Sequence, residues 1–261
     1  MFRLSRLWQR RLRGATHGFV PRRLGEGLRV YAVGDVHGRL DLLLRLEASI
    51  VDDAHRRPPG EACRIVMLGD YVDRGPDTRR VLDHLLGPPP DGFDRHLLCG
   101  NHDWWLRRFV DDAGPAMPWL ISGADAVMRS YGVHVDVRPD NEASLDALRR
   151  QLHRRMPAAH RRLLRGLVFS LQLGDYLFVH AGIRPGLALA QQDPHDLMFI
   201  REPFLSDRRD HGVVVVHGHT VTPEPVVAAN RIGIDTGAYR TGILTAVVID
   251  DTGIRFLATA P

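Results

Sequence analysis

Lysine is absent from this chain. All 35 cationic side chains are arginine, set against 31 carboxylates for a formal net charge of +4. So mild a basicity is that of an ordinary solvated surface. No five-residue basic run interleaved with aromatics marks a nucleic-acid face, so nucleic-acid binding is the minority reading, with Arg3 to Arg13 or Arg149 to Arg165 as its candidate residues. Only two cysteines occur, Cys63 and Cys99, and neither belongs to a CxxC pair. A disulfide framework is thereby excluded, and both read as small apolar residues in a reducing compartment. No apolar stretch approaches the length that spans a membrane, and none follows the basic start as a signal peptide would. Internal repeats and low-complexity tracts are missing too. A cytoplasmic globular protein is the expectation.

What is present is an ordinary composition, 44% apolar and 25% charged over 261 residues, enough for one domain with an insertion. Residues 1–27 read as a basic N-terminal segment and 28–261 as the domain. Strands are expected at "LRVYAVG" (28–34), "RIVMLG" (64–69) and "RHLLCG" (95–100). Helices are expected from about Leu40 to Ala54, over 77–87, and from Trp104 to Val110. Strands alternating with helices at this spacing predict a mainly parallel sheet.

Residues 111–166 differ: after Pro115, Pro118 and Gly123 come two helical stretches, the second arginine-rich and ended by Pro157. They read as a helical insertion. Beyond it, strands return with little helix between them, at 167–174, 175–180, 213–218, 226–235 and 243–250, with a hairpin at Gly174-Asp175. The second half is expected to be more antiparallel and α+β-like. The fold class is therefore α/β, with two packed mixed β-sheets flanked by helices.

The polar residues cluster where these strands end. "GDVHG" supplies Asp35 and His37, "GDYVDRG" supplies Asp70, Asp73 and Arg74, and "GNHD" supplies Asn101, His102 and Asp103. "FVHAG" adds His180, and "VHGHT" adds His217 and His219. In open α/β sheets ligands bind at the carboxyl ends of strands. Burying so many ionisable groups together is costly without compensation, which divalent cations would provide. Imidazole, carboxylate and carboxamide donors without thiolate suit Mn²⁺, Fe, Zn²⁺ or Co²⁺, and Ni²⁺ is compatible.

"GDVHG", "GDYVDRG" and "GNHD", in that order and followed by "HAG" and "GHT", resemble the calcineurin-like metallophosphoesterase superfamily. Within it they are similar to the phosphoprotein phosphatase branch, which includes bacterial Ser/Thr protein phosphatases and diadenosine tetraphosphatases. The resemblance implies an αββα sandwich and two divalent metal ions. Asp35 and His37 would hold the first, Asp70 would bridge both, and Asn101, His180 and His219 would complete the second. It also implies that His102 is the general acid, oriented by Asp73, while Arg74 grips the phosphoryl oxygens. A second phosphate-binding arginine is placed at Arg201 in "DLMFIRE". Hydroxide made from water between the cations would attack in line.

Asp103, where the family commonly has glutamate, reads as a helix-start residue or as the partner of a ligand. Val221 stands where phosphodiesterases of the superfamily carry a further histidine. His217 is read either as a partner of a ligand or as a core histidine, Arg184 as a loop brace or a substrate contact, and Trp104, Trp105 and Trp119 as packing. The leading expectation is a Ser/Thr protein phosphatase-like phosphomonoesterase acting on a phosphorylated protein or small phosphoester. The alternative is hydrolysis of dinucleoside polyphosphates such as diadenosine tetraphosphate, with the insertion deciding between them. A non-catalytic binding module is the reading from another class.

Overall fold

Strand β1 (Leu28–Val33) is buried on both faces from Arg29 onward, as a central strand must be. Its side chains alternate. Val30 and Ala32 join one apolar cluster, and Tyr31 and Val33 join another. The computed structural model describes residues 20–56, 61–111, 117–134 and 141–259. In it β1 pairs in parallel with β2 (Ala62–Met67), and β2 pairs in parallel with β3 (Phe93–Leu97). The crossovers contain α1 (Leu40–His55) and α2 (Thr78–Leu86). On its other side β1 meets β9 (Thr245–Asp250) antiparallel, and β10 (Gly253–Ala258) closes the order β10-β9-β1-β2-β3.

The second sheet runs β4-β5-β6-β8-β7, made of β4 (Ser170–Leu173), β5 (Tyr176–Val179), β6 (Val214–His217), β7 (Val226–Ala228) and β8 (Arg231–Gly233). The two sheets pack face to face. Val30, Ala32, Val66, Val247 and Ile249 of the first meet Phe178, Val214, Val216 and Ile232 of the second in one buried cluster. At about 1.5–3 kcal/mol for each large apolar side chain removed from water, this layer is the main source of the sandwich's cohesion. The opposite face of the first sheet is covered by α1, α2 and α3 (Asn101–Val110).

Five details depart from expectation. The centre of the second sheet is parallel, β5-β6-β8, with antiparallel pairs only at its edges. A short helix, α8 (Pro194–Phe199), lies between β5 and β6, with Pro194 at its first turn and Asp193 capping it. The stretch expected as one strand over 226–235 is a hairpin, turned at Ala229-Asn230. Fourth, α3 begins at Asn101, not Trp104, because the Asp103 carboxylate takes the Gly100 N–H at 3.0 Å and starts the helix early. Fifth, strand β10 lies beyond the expected strands.

Within 111–166 the described residues form α4 (Met117–Leu120), α5 (Ala124–Ser130), α6 (Glu142–Arg155) and, beyond Pro157, α7 (Ala158–Gly166). Helix α7 packs on α2 and α3. His160 ties it down, with Nδ1 2.7 Å from the Tyr131 hydroxyl and Nε2 2.9 Å from Asp83. Most of the basic N-terminal segment, residues 1–19, lies outside the described residues. Arg22, just after it, pairs with Asp210 at 2.7 Å. Both cysteines are free, Cys99 buried and Cys63 partly so. No helix among the described residues is long and apolar enough to cross a membrane.

Candidate metal centre

The parallel strands β1, β2, β3, β5 and β6 all end on one edge of the sandwich, and each is followed by expected site residues. Backbone bonds lock the loops together: His37 N–H donates to the Asp70 carbonyl at 2.8 Å, and Gly75 N–H to the His37 carbonyl at 3.1 Å. The loops after β2 and β3 touch so closely that a side chain on Gly100 would collide with the Asp70 carboxylate. Likewise a side chain on Gly218 would collide with that of Asp35. Among the described residues, the non-glycine residues with positive φ are His37, Asp70, Asp73, Arg74 and His219. Each such conformation costs about 1–2 kcal/mol, so the strain of this backbone is gathered at the residues singled out from sequence.

Asp70 lies at the centre. Its Oδ1 accepts the His102 backbone N–H at 2.9 Å. Its Oδ2 faces Nε2 of His37 at 3.6 Å, of His180 at 3.5 Å and of His102 at 4.0 Å. Asp103 anchors the loop that carries Asp70, accepting the N–H groups of Asp70 at 2.7 Å and Tyr71 at 3.0 Å. The helix-start role expected for Asp103 thus extends to holding the neighbouring carboxylate in place.

Two groups of donors converge closely enough to hold an ion: His37, Asp70 and His102, and then Asp70, His180 and His219. His37 Nδ1 donates to the Val72 carbonyl at 2.8 Å, and His180 Nδ1 to the Leu68 carbonyl at 2.9 Å. A backbone partner on Nδ1 fixes the tautomer and turns Nε2 toward the site. Both His37 Nε2 and His219 Nε2 are buried, and among the described residues neither has a hydrogen-bond partner. A buried polar atom left unpaired costs about 1–3 kcal/mol, and ligation of a cation removes that cost. Asn101 Oδ1 sits 3.0 Å from His180 Nε2, so it joins the second group. Asp35 is a member of neither group but borders them, feeling the charges of Asp70 and His180 and accepting the His219 N–H at 3.2 Å.

Charges in the cluster fit the same picture. Burial holds His37 down to about 3 and His219 to about 2, so both imidazoles are neutral, the form in which a ring nitrogen has a lone pair to give. Burial acts against the Asp70 carboxylate, but His180 and His102 outweigh it and hold it well below the usual carboxylate range. Asp35 is pushed well up by burial and by Asp235 beside it. A positive ion is what would let Asp35 and Asp70 be charged together.

His102 has a different setting. Nδ1 is 2.5 Å from Asp73 Oδ2, and Nε2 is 3.0 Å from Arg74 Nη2. Burial opposes the charged ring, yet Asp70 and the hydrogen bond to Asp73 raise its pKa. Both ring nitrogens are engaged: Nδ1 faces a carboxylate, and Nε2 a guanidinium that can only donate. The Arg74 guanidinium also lies 4.5 Å over the ring of Tyr239, which meets His37 edge-on. Arg201 is exposed just after α8, its charge felt by His219.

Other residues fall away from the centre. Arg184 pairs with Asp196 at 2.6 Å and braces its loop. His217 is a buried core histidine against Phe204, held down to about 4 by burial. Sequence reasoning missed Tyr239 and read Trp119 only as packing; its indole N–H reaches the Asp73 carboxylate. Nothing in the local pattern of either residue announces such a contact.

A bis(5'-nucleosyl)-tetraphosphatase [asymmetrical] of Oceanobacillus iheyensis is 26% identical over 238 residues, covering 84% of this chain and 88% of its own length. A symmetrical bis(5'-nucleosyl)-tetraphosphatase of Acidovorax sp. is 31% identical over 156 residues, 60% of this chain but only 44% of that relative. Among solved structures, a candidate diadenosine tetraphosphatase superposes with a TM-score of 0.60 at 20% identity, covering 92% of this chain and 96% of that one, which shows a shared fold. The family model described as calcineurin-like phosphoesterase matches residues 28–242, a span that contains every residue of the cluster. The chain belongs to the calcineurin-like phosphoesterase family of hydrolases.

Proposed function

We propose that this hydrolase cleaves phosphoanhydride bonds of dinucleoside polyphosphates, in the manner of a bis(5'-nucleosyl)-tetraphosphatase. The observation that carries the substrate class is the Oceanobacillus relative, which bears that name and aligns over most of both chains. The relatives' names favour this reading over hydrolysis of phosphoserine or phosphothreonine, which becomes the second choice.

Asp35, His37 and Asp70 would hold one divalent cation, and Asp70, Asn101, His180 and His219 the other. The unpaired Nε2 atoms of His37 and His219 support this assignment. The nitrogen and oxygen donor set suits Mn²⁺ first, with Fe, Zn²⁺, Co²⁺ or Ni²⁺ compatible. When bound, such a pair offsets charge on the phosphoryl oxygens and makes water acidic enough to attack at neutral pH. Arg74 and Arg201 orient the phosphate chain, the planar guanidinium fork matching two oxygens at once. His102, held by Asp73, delivers a proton from Nε2 to the leaving oxygen. A nucleotide phosphate is a far weaker base than an alkoxide, so this proton matters less here than in serine dephosphorylation. The unpaired cysteines accord with a cytoplasmic location.

The test offers the Mn²⁺-loaded protein diadenosine tetraphosphate and a phosphoserine peptide. Higher kcat/KM on the nucleotide is expected, and the products, ATP with AMP or ADP alone, give the cleavage symmetry. Turnover of the peptide alone would overturn the substrate class and restore the phosphomonoester reading.

A further inference from the structure

Trp119 is fully buried in α4, and its indole N–H lies 3.0 Å from each oxygen of the Asp73 carboxylate. The contact spans 46 residues of sequence and joins the helical insertion to the strained loop after β2. The Asp73 oxygen that takes His102 Nδ1 also takes this indole. The ring packs at 4.7 Å from Phe109, on the helix that begins with Asn101 and His102. Four residues on, the Gly123 carbonyl accepts the Arg74 N–H at 3.3 Å. One turn of the insertion therefore grips both Asp73 and Arg74, two residues whose backbone lies in the left-handed region.

Packing alone does not account for this. A tryptophan that only filled space would need any acceptor for its N–H, yet this one aims at the single carboxylate that orients His102. Asp73 is fully buried, and rotation about its χ2 would break the bond to His102. Three contacts fix it there: the indole N–H and His102 Nδ1 at the carboxylate, and the Thr78 hydroxyl oxygen, which accepts the Asp73 backbone N–H at 3.2 Å. We propose that Trp119 is a positioning residue for catalysis: it clamps the Asp73 carboxylate and through it sets the orientation of the His102 imidazole. The insertion is then part of the proton-delivery apparatus and not only a roof. The inference rests on the reading of His102 as proton donor, but not on the choice of substrate.

The test is a double-substitution cycle in the full chain on phenyl phosphate, whose leaving group is basic enough to need a proton. W119F keeps the ring against Phe109 and removes the donor. It is expected to lower kcat about tenfold and leave KM within about twofold, the size of one charged hydrogen bond lost from a positioned group. In H102N, adding W119F is expected to cost nothing further, because the clamp has no proton donor left to align. An equal loss in both backgrounds, or a change confined to KM, overturns the proposal. Wild-type kcat in H102N would sink the reading of His102 itself, and the inference with it. Should W119F fail to fold, indole N–H resonances of the ¹⁵N-labelled wild type and D73N are compared. One resonance displaced while the others hold supports the clamp, and none displaced overturns it.

Discussion

Oδ2 of Asp70 stands 3.6 Å from Nε2 of His37, too far for a hydrogen bond, with both atoms buried and facing each other. His180 repeats the relationship from the opposite sheet at 3.5 Å. One carboxylate oxygen thus stands between imidazole nitrogens carried by two sheets, the donor common to both groups.

The first prediction concerns that sharing. D70A removes the one donor common to both groups, so metal content measured by mass spectrometry should fall from about two ions per chain to below one, with activity down at least ~10³-fold. H219A, which touches one group only, should keep about one ion. Equal losses in the two variants would argue against a shared carboxylate.

His102 supplies the second. H102N preserves shape but cannot donate a proton from Nε2, and kcat on an alkyl phosphate should fall by about 10²–10⁴-fold. The loss should shrink with p-nitrophenyl phosphate, whose leaving group needs no proton, and metal content should be unchanged. Uniform losses across leaving groups would contradict the assigned role.

A third prediction lies at the other end of the first sheet. Burial works against the Asp250 carboxylate, but hydrogen bonds from Thr252 and Arg255 outweigh it and hold the group at about 2. A carboxyl depressed in the folded state contributes stability that is complete above its unfolded value of about 3.8 and is lost as pH falls through the folded value. D250N should therefore lower stability by the order of 2 kcal/mol at neutral pH, and the gap from wild type should close between about pH 4 and pH 2. Urea unfolding across that range measures it; a gap independent of pH would refute the assignment.

Much of this architecture could be read from the residues. Asp35, Asp70, Asn101, His180 and His219 each follow an apolar run and a turn, so their place at strand ends was legible, as was the parallel run of β1, β2 and β3. The alternation of Val30 and Ala32 against Tyr31 and Val33 was not, because a strand buried on both faces reads as one apolar run. "PHDLMF" is too short for helical periodicity to show, which hid α8 and the parallel centre of the second sheet. The role of Trp119 is invisible in sequence because its partner is far along the chain. The turn "DDTG" before β10 was the one local signal that could have announced the missing edge strand.

His160 gives the fourth prediction. Burial lowers its pKa, and its neutral ring can accept from Tyr131 while donating to Asp83, tying α7 to α5 and α2. H160A should destabilise the protein by about 1–3 kcal/mol, seen as a lower Tm, with two-ion metal content retained. An unchanged Tm would mean that the tie contributes nothing.

The central claim is tested most directly by anomalous diffraction from crystals grown with Mn²⁺. Two peaks are expected, both touching Asp70, one also reached by His37 and the other by His180 and His219. A single peak, or peaks that leave Asp70 without a metal contact, would contradict the account.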